Sequence, residues 1–216
     1  METQEYRYRI IYEKKGAVRF VSHLDLGRIF MRALRASGIN LKFSQGYNPH
    51  PRVSFCPPLP LGFEGICEYM DFETVEELDY VPAVASVNNH LPAGIRVNQI
   101  EKVERKAQQP LSSRYVVKMV GEGKFIRNSI EIFLKMDDCR LRVKPGGKVV
   151  DVRKSVKSLS FIKENGEILL DMEISLSQGE YINPRRLVGH IFNKCERDVL
   201  NLVISRQEII YGEKNV

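Results

Sequence analysis

The chain has no run of eighteen apolar residues, so the sequence offers no membrane-spanning helix. Its start, Met1-Glu2-Thr3-Gln4-Glu5-Tyr6, lacks the basic segment and following apolar segment of a secretory signal. Cysteine is sparse: Cys56, Cys67, Cys139 and Cys195 form no Cys-x-x-Cys pair, and their spacing suits neither a zinc site nor a cluster. They read as free thiols of a reducing compartment, and a cytoplasmic location is expected. The four histidines, His23, His50, His90 and His190, include no pair spaced i, i+4 on one expected helix. Neither a metal nor a cofactor is therefore expected. No nucleophile elbow occurs. Lys144-Pro145-Gly146-Gly147-Lys148 lacks the spacing of a phosphate loop and reads as a hairpin turn.

Acid is missing where base is dense. Residues 14–52 hold eight basic side chains and one acid, Asp25, and residues 139–163 hold eight and one, Asp151. Residues 64–79 are the reverse, with seven acids and no base. Net charge is +6 over 216 residues. Two separate basic segments point to a cationic surface drawn from both halves, and nucleic acid is the commonest polyanion for such a surface.

What the chain has in excess is proline at one place. Five of its ten prolines lie in residues 43–63, around Gly46, Tyr47, Asn48, His50 and Arg52. Proline fixes φ, removes a donor and pushes the preceding residue out of the helical region. This stretch is expected to be a stiff loop carrying a phenol, an amide, an imidazole and a guanidinium, and such loops often hold sites.

Periodicity predicts an α+β chain of two ferredoxin-like halves, 1–104 and 112–216, joined by a polar linker at 105–111, with mainly antiparallel sheet and helices on one face. In the first half, strands are expected over 6–12, 18–21, 66–72 and 95–103. A helix is expected from the Ser22 cap to Ser37, stopped by Gly38, with a second over 75–89. Leu24, Ile29, Phe30, Ala33 and Leu34 form the expected buried stripe of the first helix. In the second half, strands are expected over 114–120 and 207–211. Two hairpins are expected, over 140–153 and over 159–176, and helices over 124–135 and 183–196. No repeat is visible between the halves.

Candidate site residues follow from this placement. Arg28, Arg32 and Arg35 share one helix face, and guanidinium forks match phosphate oxygens. Tyr47, Asn48 and His50 stand on the proline-rich loop, with Arg52 beyond it. Lys148, Arg153 and Lys154 belong to the basic hairpin. Arg185 and Arg186 open a helix whose amides and dipole favour a phosphate. If the chain is an enzyme, which the residues do not decide, His50 and Asp151 are the catalytic candidates.

Several runs carry a family resemblance. Arg19-Phe20-Val21-Ser22-His23-Leu24-Asp25-Leu26, Arg32-Ala33-Leu34-Arg35 and Phe43-Ser44-Gln45-Gly46-Tyr47-Asn48-Pro49-His50-Pro51 resemble the radical-SAM-linked protein family. So do Leu59-Pro60-Leu61-Gly62, Glu68-Tyr69-Met70-Asp71, Asp151-Val152-Arg153 and Ile182-Asn183-Pro184-Arg185. The resemblance implies an uncharacterised bacterial domain fused to, or encoded beside, a B12-binding radical SAM protein. The chain lacks the Cys-x-x-x-Cys-x-x-Cys motif of the radical SAM enzyme itself. A weaker, fold-level resemblance is to pseudouridine synthases, which use a catalytic Asp after the first helix. The matching loop here, 44–51, holds Asn48 and no Asp, and an amide cannot attack as a carboxylate does. The expected function is an RNA-binding accessory domain, for tRNA or rRNA, acting with a radical SAM protein. The alternatives are a diverged nucleoside-modifying enzyme and a protein-interaction module for that partner.

Overall fold

A computed structural model of the chain describes residues 6–104, 109–142, 149–164, 166–177 and 181–212. Two compact units divide it, Met1–Ala107 and Gln108–Val216.

In the first unit, alternating residues build strand β1 (Tyr6–Lys14), with Tyr8, Ile10 and Tyr12 buried. The strand expected over 18–21 is instead part of a 3-10 turn, Gly16–Phe20. Its backbone is satisfied locally, Val21 N–H donating to Val18 O at 2.9 Å, so it needs no ladder. Helix α1 (His23–Ala36) begins at the expected cap, Ser22 Oγ accepting from Asp25 N–H at 3.1 Å. It stops before Gly38, whose φ of 75° lies in the left-handed region. The buried face is Leu26, Phe30, Ala33 and Leu34, while Leu24 is exposed. Leu24 sits roughly 160° around the helix from Leu26, so it cannot join that stripe.

The unit continues through β2 (Val53–Phe55), β3 (Glu64–Thr74), α2 (Tyr80–Asn88) and β4 (Ile95–Lys102). Helix α2 starts later than expected. That start puts Pro82 in the first turn, where a missing N–H breaks no helical bond. The strand order is β4-β1-β3-β2 with antiparallel pairings, a split β-α-β-β-α-β arrangement. Both helices pack into one apolar cluster with Tyr8, Ile10, Met70, Phe72 and Val97, so they cover the same sheet face.

The second unit contains β5 (Pro110–Met119), α3 (Gly123–Leu134), β6 (Arg140–Arg142), β7 (Val149–Asp151), α4 (Val152–Ser155), β8 (Val156–Glu164), β9 (Glu167–Ser175), α5 (Pro184–Ile191), α6 (Glu196–Leu200) and β10 (Ile204–Tyr211). Its strand order, β10-β5-β9-β8, repeats that of the first unit, again with antiparallel pairings. The β6–β7 hairpin and α4 lie in the connection between α3 and β8. In the first unit the equivalent connection, between α1 and β2, holds the part of the proline-rich stretch with Pro49 and Pro51; the single loop expected over 43–63 is broken by β2, and Pro57, Pro58 and Pro60 follow that strand.

Register also uncovers an echo at residue level. Tyr8 faces Phe72, which lies between Asp71 and Glu73. Tyr115 faces Met172, which lies between Asp171 and Glu173. An arginine precedes each tyrosine, Arg7 and Arg114. These shared residues are too few and too scattered to show as a repeat without the pairing.

Two further expectations are corrected. The helix expected over 183–196 is two helices, because Asn193 takes a φ of 47° between α5 and α6. The linker expected over 105–111 gives up Pro110 and Leu111 to β5, and 105–108 lie outside the described residues. Among the described residues, no helix is long and apolar enough to cross a membrane.

Candidate nucleic-acid interface

In the first unit, much of the basic charge is answered internally. Arg7 and Arg52 donate to the Glu73 carboxylate at 2.8 and 3.1 Å, with Lys42 Nζ at 4.0 Å from it. Arg9 forks onto Asp71 at 2.7 and 3.0 Å. Burial raises the Glu73 pKa, but hydrogen bonds and charge from Arg7 and Arg52 outweigh it and hold the carboxyl below its ordinary value. Lys14 is buried beside Glu68 and donates to Val21 O at 2.8 Å. Burial depresses its pKa, against the pull of Glu68. The acids of β3 therefore hold the unit together and form no acidic surface patch. Arg52, expected on a phosphate, already has a carboxylate.

The arginine row of α1 is different. Arg28, Arg32 and Arg35 are all exposed. Arg28 pairs with Asp25 at 2.8 Å. Among the described residues, Arg32 and Arg35 have no carboxylate partner. Leu24, Gly27 and Met31 line a shallow depression together with Arg28 and Arg32.

The proline-rich loop is stapled at its base. Ser44 N–H donates to His50 O at 2.8 Å, His50 N–H donates to Ser44 Oγ at 3.0 Å, and Arg52 N–H donates to Lys42 O at 2.8 Å. Residues 45–49 project beyond these bonds, and 45–50 are exposed throughout, with Tyr47 100% exposed. Among the described residues, the His50 ring has no hydrogen-bond partner. It thus lacks the orienting group that a general base has beside it.

In the second unit, Asp151 caps α4. Its Oδ1 accepts from Arg153 N–H at 3.1 Å and from Cys139 N–H at 3.4 Å, and Lys154 Nζ lies 3.7 Å from Oδ2. Desolvation raises its pKa, but these backbone donors and Lys154 outweigh it, and the carboxyl stays below its usual range. That is a structural cap rather than a proton carrier. Arg153 turns its guanidinium to Val156 O at 3.4 Å. Lys148 lies outside the described residues.

Arg185 and Arg186 are half-buried at the start of α5. The amides expected to be open there are occupied. Asn183 Oδ1 accepts from Arg185 N–H at 2.9 Å, and Asn183 O accepts from Arg186 and Leu187 N–H at 2.9 and 3.1 Å. Any anion at this end meets side chains rather than backbone. Those side chains do converge. Arg142, Arg185, Arg186, His190 and Lys194 line one hollow of about 540 Å³ with no acid among its lining residues. Sequence reasoning missed Arg142, His190 and Lys194 because β6, α5 and the α5–α6 turn meet only in the fold. Only Arg142 carried an advance signal, the acid-poor composition of 139–163. His190 Nε2 also lies 3.0 Å from Cys139 Sγ. Burial, with Asp151 and Asp138, raises the Cys139 pKa, which disfavours the thiolate that a nucleophile needs.

The molecule is thus a tandem α+β protein that exposes an arginine row and an aromatic loop in one unit and a cationic hollow in the other. It belongs to a family described as "Uncharacterized protein conserved in bacteria (DUF2344)", whose model matches residues 7–184. No curated protein matches the sequence. Among solved structures, an unknown protein from Galdieria sulphuraria is 11% identical over 96% of this chain and 99% of that one, with a TM-score of 0.29. A candidate glycine cleavage system transcriptional repressor is 11% identical over the same shares, with a TM-score of 0.26. Scores this low define neither a shared fold nor a shared function.

Proposed function

We propose that this chain is an RNA-binding accessory domain that works with a radical SAM protein on tRNA or rRNA. The observation that carries the reading is the α1 face, where Arg32 and Arg35 are exposed and, among the described residues, without a carboxylate. Guanidinium groups left unneutralised by the fold are available to phosphate. Tyr47 supplies what a duplex would not need, a fully exposed ring on a loop held at its base. Stacking on unpaired bases is how RNA is commonly read. The radical SAM partner enters through the family motifs, several of which fall on this same helix and loop.

Replacing both Arg32 and Arg35 with alanine tests the reading. The expected result is weaker binding of single-stranded RNA and a salt dependence flattened by about 1.4 in the log–log slope, ~0.7 for each lost phosphate contact. Unchanged affinity and slope would refute it.

A second reading, docking onto the partner protein, is favoured by one observation. Phe20, Leu24 and Leu61 are apolar and 58%, 74% and 60% exposed. All three stand in motifs that carry the family resemblance, and Gly62 N–H bonds Arg19 O at 2.9 Å, which brings the second of these stretches to the first. Partner binding that is lost in Leu24→Asp but survives RNase and high salt would support this role. The reading as a nucleoside-modifying enzyme has less behind it. Asp151 is held as a cap, and His50 lacks an orienting group among the described residues.

A further inference from the structure

The hollow of the second unit has two kinds of wall. Arg142, Arg185, Arg186, His190 and Lys194 supply positive or protonatable groups, and Leu141, Ile182, Val199 and Leu200 supply apolar surface. At about 540 Å³ it is far larger than one phosphate needs. It falls inside the ~300–1,000 Å³ range of small-molecule sites. A bare polyanion groove would not carry the apolar portion, and an apolar ligand would not tolerate five basic neighbours.

The chemistry that satisfies both walls is an anion with a flat, weakly polar body. Arginine serves such a ligand twice, forking onto phosphate oxygens and stacking on an aromatic face. Arg142, Lys194 and His190 are exposed at the site, while Arg185 and Arg186 are half-buried. Asn183 ties down the backbone at the start of α5 by three hydrogen bonds, which fixes the point from which the half-buried pair of side chains leaves the helix. Asn193, also lining the hollow, brings a side-chain amide with both a donor and an acceptor.

We infer that this hollow binds a phosphorylated nucleoside, its phosphate on Arg185, Arg186 and Lys194 and its base against the apolar wall. The site lies in the second unit and does not use the α1 arginines. It can stand or fall apart from the RNA-binding reading above. The ligand has two sources with one chemistry: a free mononucleotide, or the phosphorylated end of an RNA strand.

Titration of the full-length protein with adenosine monophosphate, inorganic phosphate and hexyl phosphate, followed by calorimetry, tests the site. The expected result is binding of the mononucleotide at least 10-fold tighter than either control. Lys194→Glu and Arg142→Glu, both at exposed positions that the fold tolerates, should each weaken it at least 10-fold. Arg32→Ala/Arg35→Ala should leave mononucleotide binding unchanged, whatever it does to long RNA. A matched oligonucleotide pair, 5′-phosphorylated and 5′-hydroxyl, separates the sources. A preference for the phosphorylated strand that vanishes in Lys194→Glu assigns the site to an RNA end. Mononucleotide binding with no such preference assigns it to free nucleotide. Inorganic or hexyl phosphate binding as tightly as the mononucleotide overturns the proposal. So does an affinity that neither glutamate variant changes, or no binding at all.

Discussion

At the scale of single residues, the informative contrast is between basic side chains that the fold has answered and those it has not. Glu73 gathers Arg7, Arg52 and Lys42 at a nearly buried position. Removing its charge leaves those cations facing an amide, and Glu73→Gln is expected to cost about 3 kcal/mol in a denaturant melt at neutral pH. Because the folded carboxyl titrates below its unfolded value, its contribution is present above the ordinary glutamate range and is lost as pH falls through the folded pKa. The variant should therefore show a smaller loss of stability on acidification than the parent. Tyr47 is the opposite case. It buries nothing, so Tyr47→Ala should leave the melting temperature unchanged while weakening single-stranded RNA binding by about 1–2 kcal/mol in a fluorescence titration.

Among the elements, the caps and turns were the most legible in advance. Ser22, Gly38, Asn183 and Pro184 each stand at a helix boundary because their chemistry allows little else there. Asn183→Ala is expected to lower stability by about 1 kcal/mol and to loosen the start of α5, read as faster amide exchange at Arg185 and Leu187. Arg28, Arg32 and Arg35 were readable as one row, since helical spacing alone places them together. What could not be read was pairing across strands. Nothing in the sequence near Arg52 announces Glu73, and nothing near Asp151 announces the amide of Cys139. Local pattern sees charge but not its neutralisation, so both residues looked more available than they are. The break between α5 and α6 was hidden for a similar reason. Its cause is one residue, Asn193, in a conformation that asparagine tolerates but does not demand.

For the whole molecule, net charge says less than its distribution. A charge of +6 attracts any polyanion weakly. The arginine face of α1 and the cationic hollow lie in different units, and each has its own expected ligand geometry. Mutating one should leave the binding signature of the other intact. RNA crosslinked in cells should then be recovered less with the α1 variant, whereas the Lys194→Glu variant should leave the amount recovered unchanged and, where the hollow takes an RNA end, alter only which strand ends are recovered. The pattern of two similar halves was legible from element order. The shared strand order and the Arg-Tyr and Asp-x-Glu echoes needed register, which sequence spacing alone does not supply.

One consequence of that shared plan concerns where the scaffold tolerates novelty. Both halves keep the sheet and rewrite the same crossover, after the first helix and ahead of the second strand. One fills it with a stapled loop that carries Pro49 and Pro51, and the other with a β-ribbon. An engineer wishing to graft a fluorophore, an affinity handle or a foreign recognition segment onto this protein would choose that joint, because the chain has already accepted two unrelated inserts there without altering the order of its strands.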